Sequence, residues 1–272
     1  MSRLMNCAID RSPNTPYAEA GMTDIIPVPS ETLESEPMTK INTWSYSRLT
    51  TFEQCKLRAK LAYIDRIPEP ERPLPPGKTE HANDRGTRVH EACELYVKGE
   101  IHELAHEAEL HFGPQIDFLR VLHAEGLVSL EGEWGFNNQW EPTDWRTAWL
   151  RMKLDTMVYW SPTYATAIDY KTGKKFGNEV KHAEQMQLYA LGAFMRHPEL
   201  EVVEVELWYL DQNEVTRMRF LRSQALRFRD SYHKRGTALT TCTDWKPSPS
   251  KFTCKWCQYG PWNGGQCQVG VR

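Results

Sequence analysis

The sequence has no apolar run approaching the about 18 residues that a membrane-spanning helix requires, so a membrane span is not expected. Its N-terminal stretch, Met1 to Asp10, lacks the apolar core of a secretion signal, and a cytoplasmic chain is expected. There is no excess of charge of one sign. The 33 Lys and Arg face 36 Asp and Glu, a net charge of −3 that excludes a uniformly basic nucleic-acid binder but leaves room for a locally basic groove. No internal repeat is visible. What is present is more specific. The 272 residues suffice for one domain with extensions or for two, and 40% hydrophobic composition suits a globular core. Seven cysteines without an export signal point to metal or redox chemistry before disulfides.

Residues 1–40 hold five prolines and many Ser, Thr and Glu without apolar periodicity, which predicts a mobile leader. The spacing of Leu49, Phe52, Leu57 and Leu61 predicts one helix from Arg48 to about Tyr63, capped by Ser47. Pro68 to Pro76 marks an exposed connection. A second helix opens near Gly86, with Val89, Cys93, Tyr96 and Val97 on one face, and shorter helical pieces are expected over 101–123. Alternation then predicts strands at 127–136, 147–160 and 165–170, a helix at 178–196, strands at 201–210 and 214–221, and a basic helix at 222–238. That order implies an α/β layer on one mixed sheet.

Two carboxylates stand out. Asp155 is expected late in one strand and Asp169 near the end of the next, where adjacent strands bring both within reach of one hard cation such as Mg²⁺. Lys171, two residues beyond Asp169, leaves the same strand face and is placed to assist an attacking water. His90, one turn before Glu94, offers an imidazole to the same shell. Gln185 and Tyr189 share a helical face and are placed to order the lysine or to bond a DNA backbone. Each feature alone has a plainer reading, as a solvated surface pair, a hydrogen-bonded histidine or an amphipathic helix.

Taken in order, Gly86-Thr87-Arg88-Val89-His90, Lys153-Leu154-Asp155, Ile168-Asp169-Tyr170-Lys171-Thr172-Gly173 and Gln185 to Tyr189 resemble the RecB-like branch of the PD-(D/E)XK nucleases. The resemblance covers about residues 44–270. It implies a restriction-endonuclease-like core, with a central mixed β-sheet flanked by helices, and a metal-dependent DNA nuclease, expected to be an exonuclease. Mg²⁺ or Mn²⁺ would be held by His90, Asp155, Asp169 and the Tyr170 carbonyl. Lys171 would act in the active centre, with Gln185 and Tyr189. One departure is Met152, where the family often has glycine three residues before the first aspartate. Glu133 is matched to an acidic residue of the first core strand, with Glu131 competing for that place.

Cys254, Cys257 and Cys267 place three thiols close in sequence, and Cys-x-x-Cys aims two sulfurs at one ion. The residues alone leave Cys7, Cys55, Cys93 and Cys242 as candidates for a fourth ligand, with zinc on Cys242, Cys254, Cys257 and Cys267 as one solution. The resemblance, here to the bacterial AddB repair subunit and CRISPR-associated relatives, implies instead a [4Fe–4S] cluster on Cys55, Cys254, Cys257 and Cys267. Such a cluster would join 41–65 to 242–272 within a single nuclease domain spanning 41–272. Cys93 is expected to be a buried structural thiol.

Three basic clusters are candidate DNA contacts: Arg48 with Lys56, Arg58 and Lys60; Lys171 with Lys174 and Lys175; and the run from Arg217 to Arg235. Trp256 and Trp262 are expected to pack beside the cluster. DNA single strands or duplex ends are the expected partners, no membrane is, and a recombination or helicase partner stays unidentified. A catalytically silent DNA-binding or recombination-accessory protein, or a zinc-stapled scaffold, is the rival reading. A phage or mobile-element nuclease acting in the host cytoplasm suits so compact a chain by analogy.

Overall fold

A computed structural model describes residues 39–173 and 175–272. The leader expected at 1–40, Cys7 and Lys174 lie wholly or largely outside the described residues. The chain opens with α1 (Tyr46–Gln54) and α2 (Lys56–Tyr63), then α3 (Ala82–Lys98) and α4 (His106–Ala124). The strands β1 (Val128–Phe136), β2 (Pro142–Thr143), β3 (Leu150–Ser161) and β4 (Tyr164–Lys171) follow, then α5 (Glu179–Arg196), β5 (Val202–Tyr209) and β6 (Glu214–Leu221). After α6 (Arg222–Ala225), a 3₁₀ turn, α7 (Arg229–Thr240) and the short α8 (Lys251–Cys254), the chain ends in a 3₁₀ turn and irregular coil.

The six strands form one sheet in the order β2-β1-β3-β4-β5-β6. Only β4 and β5 run parallel, and a parallel pair needs a crossover, which α5 supplies. This is the mixed α/β sheet flanked by helices that the sequence implies. Each sheet face has its own core. Leu49, Phe52, Met186, Leu191, Phe194, Tyr232 and Leu239 pack one face with α1, α5 and α7. Val89, Cys93, Val97, Phe112, Ile116 and Leu119 pack the other with α3 and α4. Trp44 joins the sheet without belonging to a long strand: its N–H donates to the Trp149 carbonyl and its own carbonyl accepts from Arg151, each at 2.8 Å.

Four expectations are corrected. The single helix capped by Ser47 is two helices, because Cys55 is extended (φ −163°, ψ 114°), and the first is capped by Ser45, whose side chain accepts from the Arg48 N–H. The short pieces over 101–123 are one long helix that contains Pro114. Pro114 is exposed, so water can satisfy the carbonyl its missing N–H leaves unpaired. The basic helix of 222–238 is interrupted by the 3₁₀ turn Leu226–Phe228. Trp256 is 72% exposed instead of packed.

Candidate active site

Asp155 lies in the middle of β3 instead of late in it. The pairing of Thr156 with Ile168 sets the next position, Asp155, across from Asp169, and the ladder between β3 and β4 stops there. On the other flank, Leu130 pairs with Thr156 and Gly132 with Leu154, which sets Glu131 across from Asp155. Side-chain alternation slips phase at this point. Met152 and Leu154 pack the α5 face, but so does Met157, three residues later. A strict strand cannot do this. Glu131 has φ +44°, a left-handed backbone that costs a residue with a side chain some strain. The irregularity releases Asp155 from regular alternation toward α3.

His90, on α3, places Nδ1 3.1 Å from Asp155 Oδ1. The other oxygen of Asp155 accepts from the backbone N–H of Tyr170 at 2.7 Å. Burial raises the Asp155 carboxyl above its ordinary pKa, and the charge of Asp169 raises it further, against the contributions of His90 and the Tyr170 amide. For His90, burial opposes protonation, but the hydrogen bond and charge of Asp155 outweigh it and raise the imidazole. The Tyr170 ring is buried, nearly perpendicular to the His90 ring, with its hydroxyl 3.3 Å from Thr156 Oγ1.

Asp169 is 5% exposed and faces α5. Its Oδ1 accepts from the Tyr189 hydroxyl at 2.8 Å and from Gln185 Nε2 at 3.4 Å. Its Oδ2 has Lys171 Nζ 2.5 Å away as an ion pair, without hydrogen-bond alignment. Lys171 Nζ donates to Gln185 Oε1 at 3.0 Å, and Gln185 Nε2 donates to the Tyr189 hydroxyl at 2.7 Å. The i,i+4 pair on α5 thus engages both members of the Asp-x-Lys pair. Burial pushes the Tyr189 phenol far up, with Asp169 adding to the effect, so this hydroxyl stays a proton donor.

A cavity of about 480 Å³ opens beside Asp155, lined by Gly86, Thr87, His90, Glu91, Glu94, Glu131 and Lys153 as well. Glu131 lines it, whereas Glu133 is exposed on the neighbouring stretch of β1. Of the two residues competing for the first-strand place, Glu131 is the one that lines the cavity. Burial raises Glu131, while Lys153, with Nζ 2.5 Å from its Oε2, pulls it back. Glu94 is tied to Lys98. Glu131 also has the left-handed backbone, which is not written in the sequence.

The sequence profile of the PD-(D/E)XK nuclease superfamily matches residues 43–262. The chain belongs to the PD-(D/E)XK nuclease superfamily. No curated protein is a significant match. Among solved structures, the nuclease fold of this chain is similar to that of a protein named as an exonuclease from Eubacterium rectale, at 13% identity and a TM-score of 0.45, over 82% of this chain and 90% of that one. It is also similar to an alkaline exonuclease from Laribacter hongkongensis, at 13% identity and a TM-score of 0.30, over 74% and 87% of the two chains.

Among the described residues of this nuclease, no three His, Cys, Asp or Glu side chains are gathered tightly enough to form a ready metal cage. The donor chemistry nevertheless fits a hard divalent cation: the partly buried Asp155 faces the buried Asp169, a cation would relieve their mutual repulsion, and an imidazole stands beside them. Asp169 Oδ2, which accepts no hydrogen bond, is the carboxylate atom most open to such a cation. Met152, at the position where the family often has glycine, lies against Gly192 of α5. A Cβ there would come within 2.5 Å of the Met152 methyl. The bulk missing from α5 is supplied by β3, so the departure leaves the helix seated.

The cysteines divide in space. Cys55, Cys254, Cys257 and Cys267 line one cleft between α2 and the C-terminal segment. The Ser248 N–H points to Cys55 Sγ at 3.5 Å, and a tight turn brings the Cys257 N–H to the Cys254 carbonyl at 3.1 Å. Burial raises the Cys257 thiol, and Cys267 and Cys55 add to that. Cys242 does not line the cleft. It is buried, with its thiol on the Asp244 carbonyl at 3.2 Å. Cys93 is buried in the α3–α4 core and its thiol is pushed up to about 12 by burial first and by Asp155 next.

Three members of the densest basic cluster are engaged structurally. Arg217 pairs with Glu204 and Glu206, Arg235 with Glu53 and Glu184, and Arg222 donates to the carbonyls of Phe194, His197 and Leu200 at the end of α5. Among the described residues, no helix is long and apolar enough to cross a membrane.

Proposed function

We propose that this chain is a divalent-metal-dependent DNA nuclease of the RecB-like branch, acting as an exonuclease on single strands or duplex ends. Residues 41–272 would work as one nuclease domain in the cytoplasm, or in a host cytoplasm if the chain is phage-borne. The observation that carries the reading is the facing of Asp155 and Asp169 where the β3–β4 ladder stops, with His90 on one carboxylate and Lys171 on the other. His90, Asp155, Asp169 and the Tyr170 carbonyl would hold Mg²⁺ or Mn²⁺, with Glu131 within the same cavity. When bound, the cation supplies an activated water and offsets charge on the reacting phosphate. The Tyr170 N–H keeps Asp155 aimed at the cavity. Tyr189 and Gln185 hold Asp169 Oδ1, and Gln185 Oε1 holds the Lys171 ammonium, so the lysine is oriented before substrate arrives. Lys171 then donates hydrogen bonds to the attacking water or to a phosphate oxygen as negative charge grows there.

Cys55, Cys254, Cys257 and Cys267 would hold a [4Fe–4S] cluster. Their shared cleft supports that set over one containing Cys242. Four thiolates suit such a cluster, which would tie α2 to the C-terminal segment across nearly two hundred residues of chain and so restrict the unfolded ensemble.

The test is anaerobic purification followed by a Mg²⁺ and Mn²⁺ assay on end-labelled single- and double-stranded DNA. Metal-dependent release of end label that is lost on chelation is expected. Binding with no cleavage under any of these conditions would overturn the reading in favour of a silent DNA-binding protein.

A further inference from the structure

A second cleft, about 560 Å³, opens on the α1–α5 side of the same strand and differs from the acidic cavity in charge. The cavity beside Asp155 is lined by four carboxylates, of Glu91, Glu94, Glu131 and Asp155. The second cleft is lined by Arg48, Arg151, Lys153 and Lys181 and by no Asp or Glu at all. Lys153 borders both, and Gln185 and Tyr189, which hold Asp169, form part of the basic wall. The charge boundary therefore runs through the candidate active centre.

The two arginines of the second cleft are held without a carboxylate. Arg85, Arg88, Arg217 and Arg235 all pair with carboxylates. Arg48 instead donates to the Thr43 carbonyl at 2.9 Å and lies over the Tyr63 ring at 5.1 Å. Arg151 donates to the carbonyls of Trp145 at 2.6 Å and Arg146 at 3.1 Å, and lies over the Trp145 ring. Neither has an ion-paired carboxylate among the described residues. Burial pulls Arg48 down from its ordinary pKa; Tyr63 opposes this, and the charges of Arg151 and Arg66 deepen it. Like charges held together, half-buried and without a counterion, cost stability unless an anion joins them. Both guanidinium planes are oriented by carbonyls and aromatic rings, with further N–H donors left over.

We propose that Arg48 and Arg151, with Lys181 at the rim, form a phosphate-binding site for the polynucleotide strand adjacent to the bond being cut. The proposal rests on the nuclease reading and adds the path of the substrate: its phosphate enters by the carboxylate-free cleft, while the acidic cavity is left to the cation. The occupant is a phosphate of the strand, either an internal diester or a terminal monoester. The guanidiniums fix the strand's position and read no sequence.

The experiment is fluorescence anisotropy of the full chain with short single-stranded oligonucleotides bearing 5′-phosphate, 3′-phosphate or hydroxyl ends, with divalent cations chelated so that nothing is cleaved. Arg48→Gln, Arg151→Gln and Lys181→Gln should each weaken binding roughly tenfold on any sequence and lower the salt slope by about 0.7. Arg72→Gln, in the exposed connection and outside the three basic clusters, is the control and should bind as the parent does. Because Arg48 also anchors Thr43 and Tyr63, Arg48→Lys and the rim variant Lys181→Gln keep the test open if Arg48→Gln unfolds. A loss confined to phosphorylated ends identifies a terminal monoester, and an equal loss on all ends identifies a diester. Parent-like affinity and slope in all three variants, or no binding by the parent chain, overturns the site. Cleavage is scored in parallel. Arginine-dependent binding without cleavage sinks the nuclease reading and leaves the phosphate site standing.

Discussion

The Tyr170 backbone N–H donates to Asp155 Oδ2 at 2.7 Å, so the strand that carries Asp169 and Lys171 also fixes the carboxylate that faces them. The two carboxylates are therefore not independently placed. Moving β4 moves both, and the ladder has to stop at this pair for the amide to be available to a side chain instead of to a carbonyl.

This arrangement costs the cation-free protein stability in a pH-dependent way. Asp155 is raised by burial and by Asp169, and His90 is raised by Asp155. Both folded groups bind protons more tightly than the unfolded chain, so stability is present below the ordinary values of 3.8 and 6.5 and is lost as pH rises through the folded ones. Asp155→Asn should therefore abolish cleavage yet raise the metal-free Tm at pH 8 relative to pH 5, compared with the parent. Mg²⁺ should raise the parent Tm more at pH 8 than at pH 5, because its ligands must be deprotonated. Thermal melts with and without chelator check this. A variant that melts in parallel with the parent at both pH values would refute the coupling.

Lys171 and Gln185 act together through one 3.0 Å hydrogen bond. Lys171→Ala should lower kcat by roughly 10²–10³. Gln185→Ala, which frees the lysine without removing it, should lower kcat by less and leave KM unchanged. The double variant should lose less than the sum of the two, since the glutamine acts partly through the lysine and partly through Asp169. Additive losses in single-turnover kinetics would show separate roles.

Tyr189→Phe removes the 2.8 Å donor to a buried carboxylate oxygen. Leaving that oxygen short of a partner should cost about 1–3 kcal/mol in the metal-free protein. Urea unfolding at pH 8 measures it, and a change below a few tenths would mean that the phenol is structurally idle.

At the C-terminal end, Gly265 lies against the backbone of Tyr259, where an added Cβ would come within 2.3 Å of main-chain atoms that cannot yield. The Cys267 N–H is bonded to the Tyr259 carbonyl at 2.8 Å in the same place. Gly265→Ala should therefore displace Cys267 and lose the visible absorbance and iron that the proposed cluster would give the anaerobic protein, as should Cys55→Ala. Cys242→Ala should keep both, apart from a packing loss. Zinc in place of iron in the parent would reassign the metal while leaving the cysteine set to the same test.

The sheet, its flanking helices and most active-centre candidates were legible in the sequence, because period-two alternation and short chemical motifs are local. Breaks within elements were not. Cys55 interrupts a continuous helical pattern with an extended backbone, and exposed Pro114 is tolerated because its helix can lose one bond to water. Glu131 and Glu133 share a strand and a chemistry. Only a left-handed backbone and the neighbouring α3 bring the first to the cavity and leave the second exposed.

The sequence by itself determined the mixed α/β architecture and the order of the His, Asp, Asp-x-Lys and Gln-x-x-x-Tyr elements, because covalent spacing sets which side chains share a strand or helix face. It also set the near-zero net charge, but not where the charge lies. Tertiary structure decided that Asp155 meets both His90 and the Tyr170 amide, and that Cys55, not Cys242, shares a cleft with the C-terminal thiols. It also decided that Arg217 and Arg235 pair with carboxylates, while Arg48 and Arg151 share a cleft lined by no Asp or Glu. Each of these depends on groups far apart in the chain, whose meeting is fixed by strand register and helix packing and by no local signal.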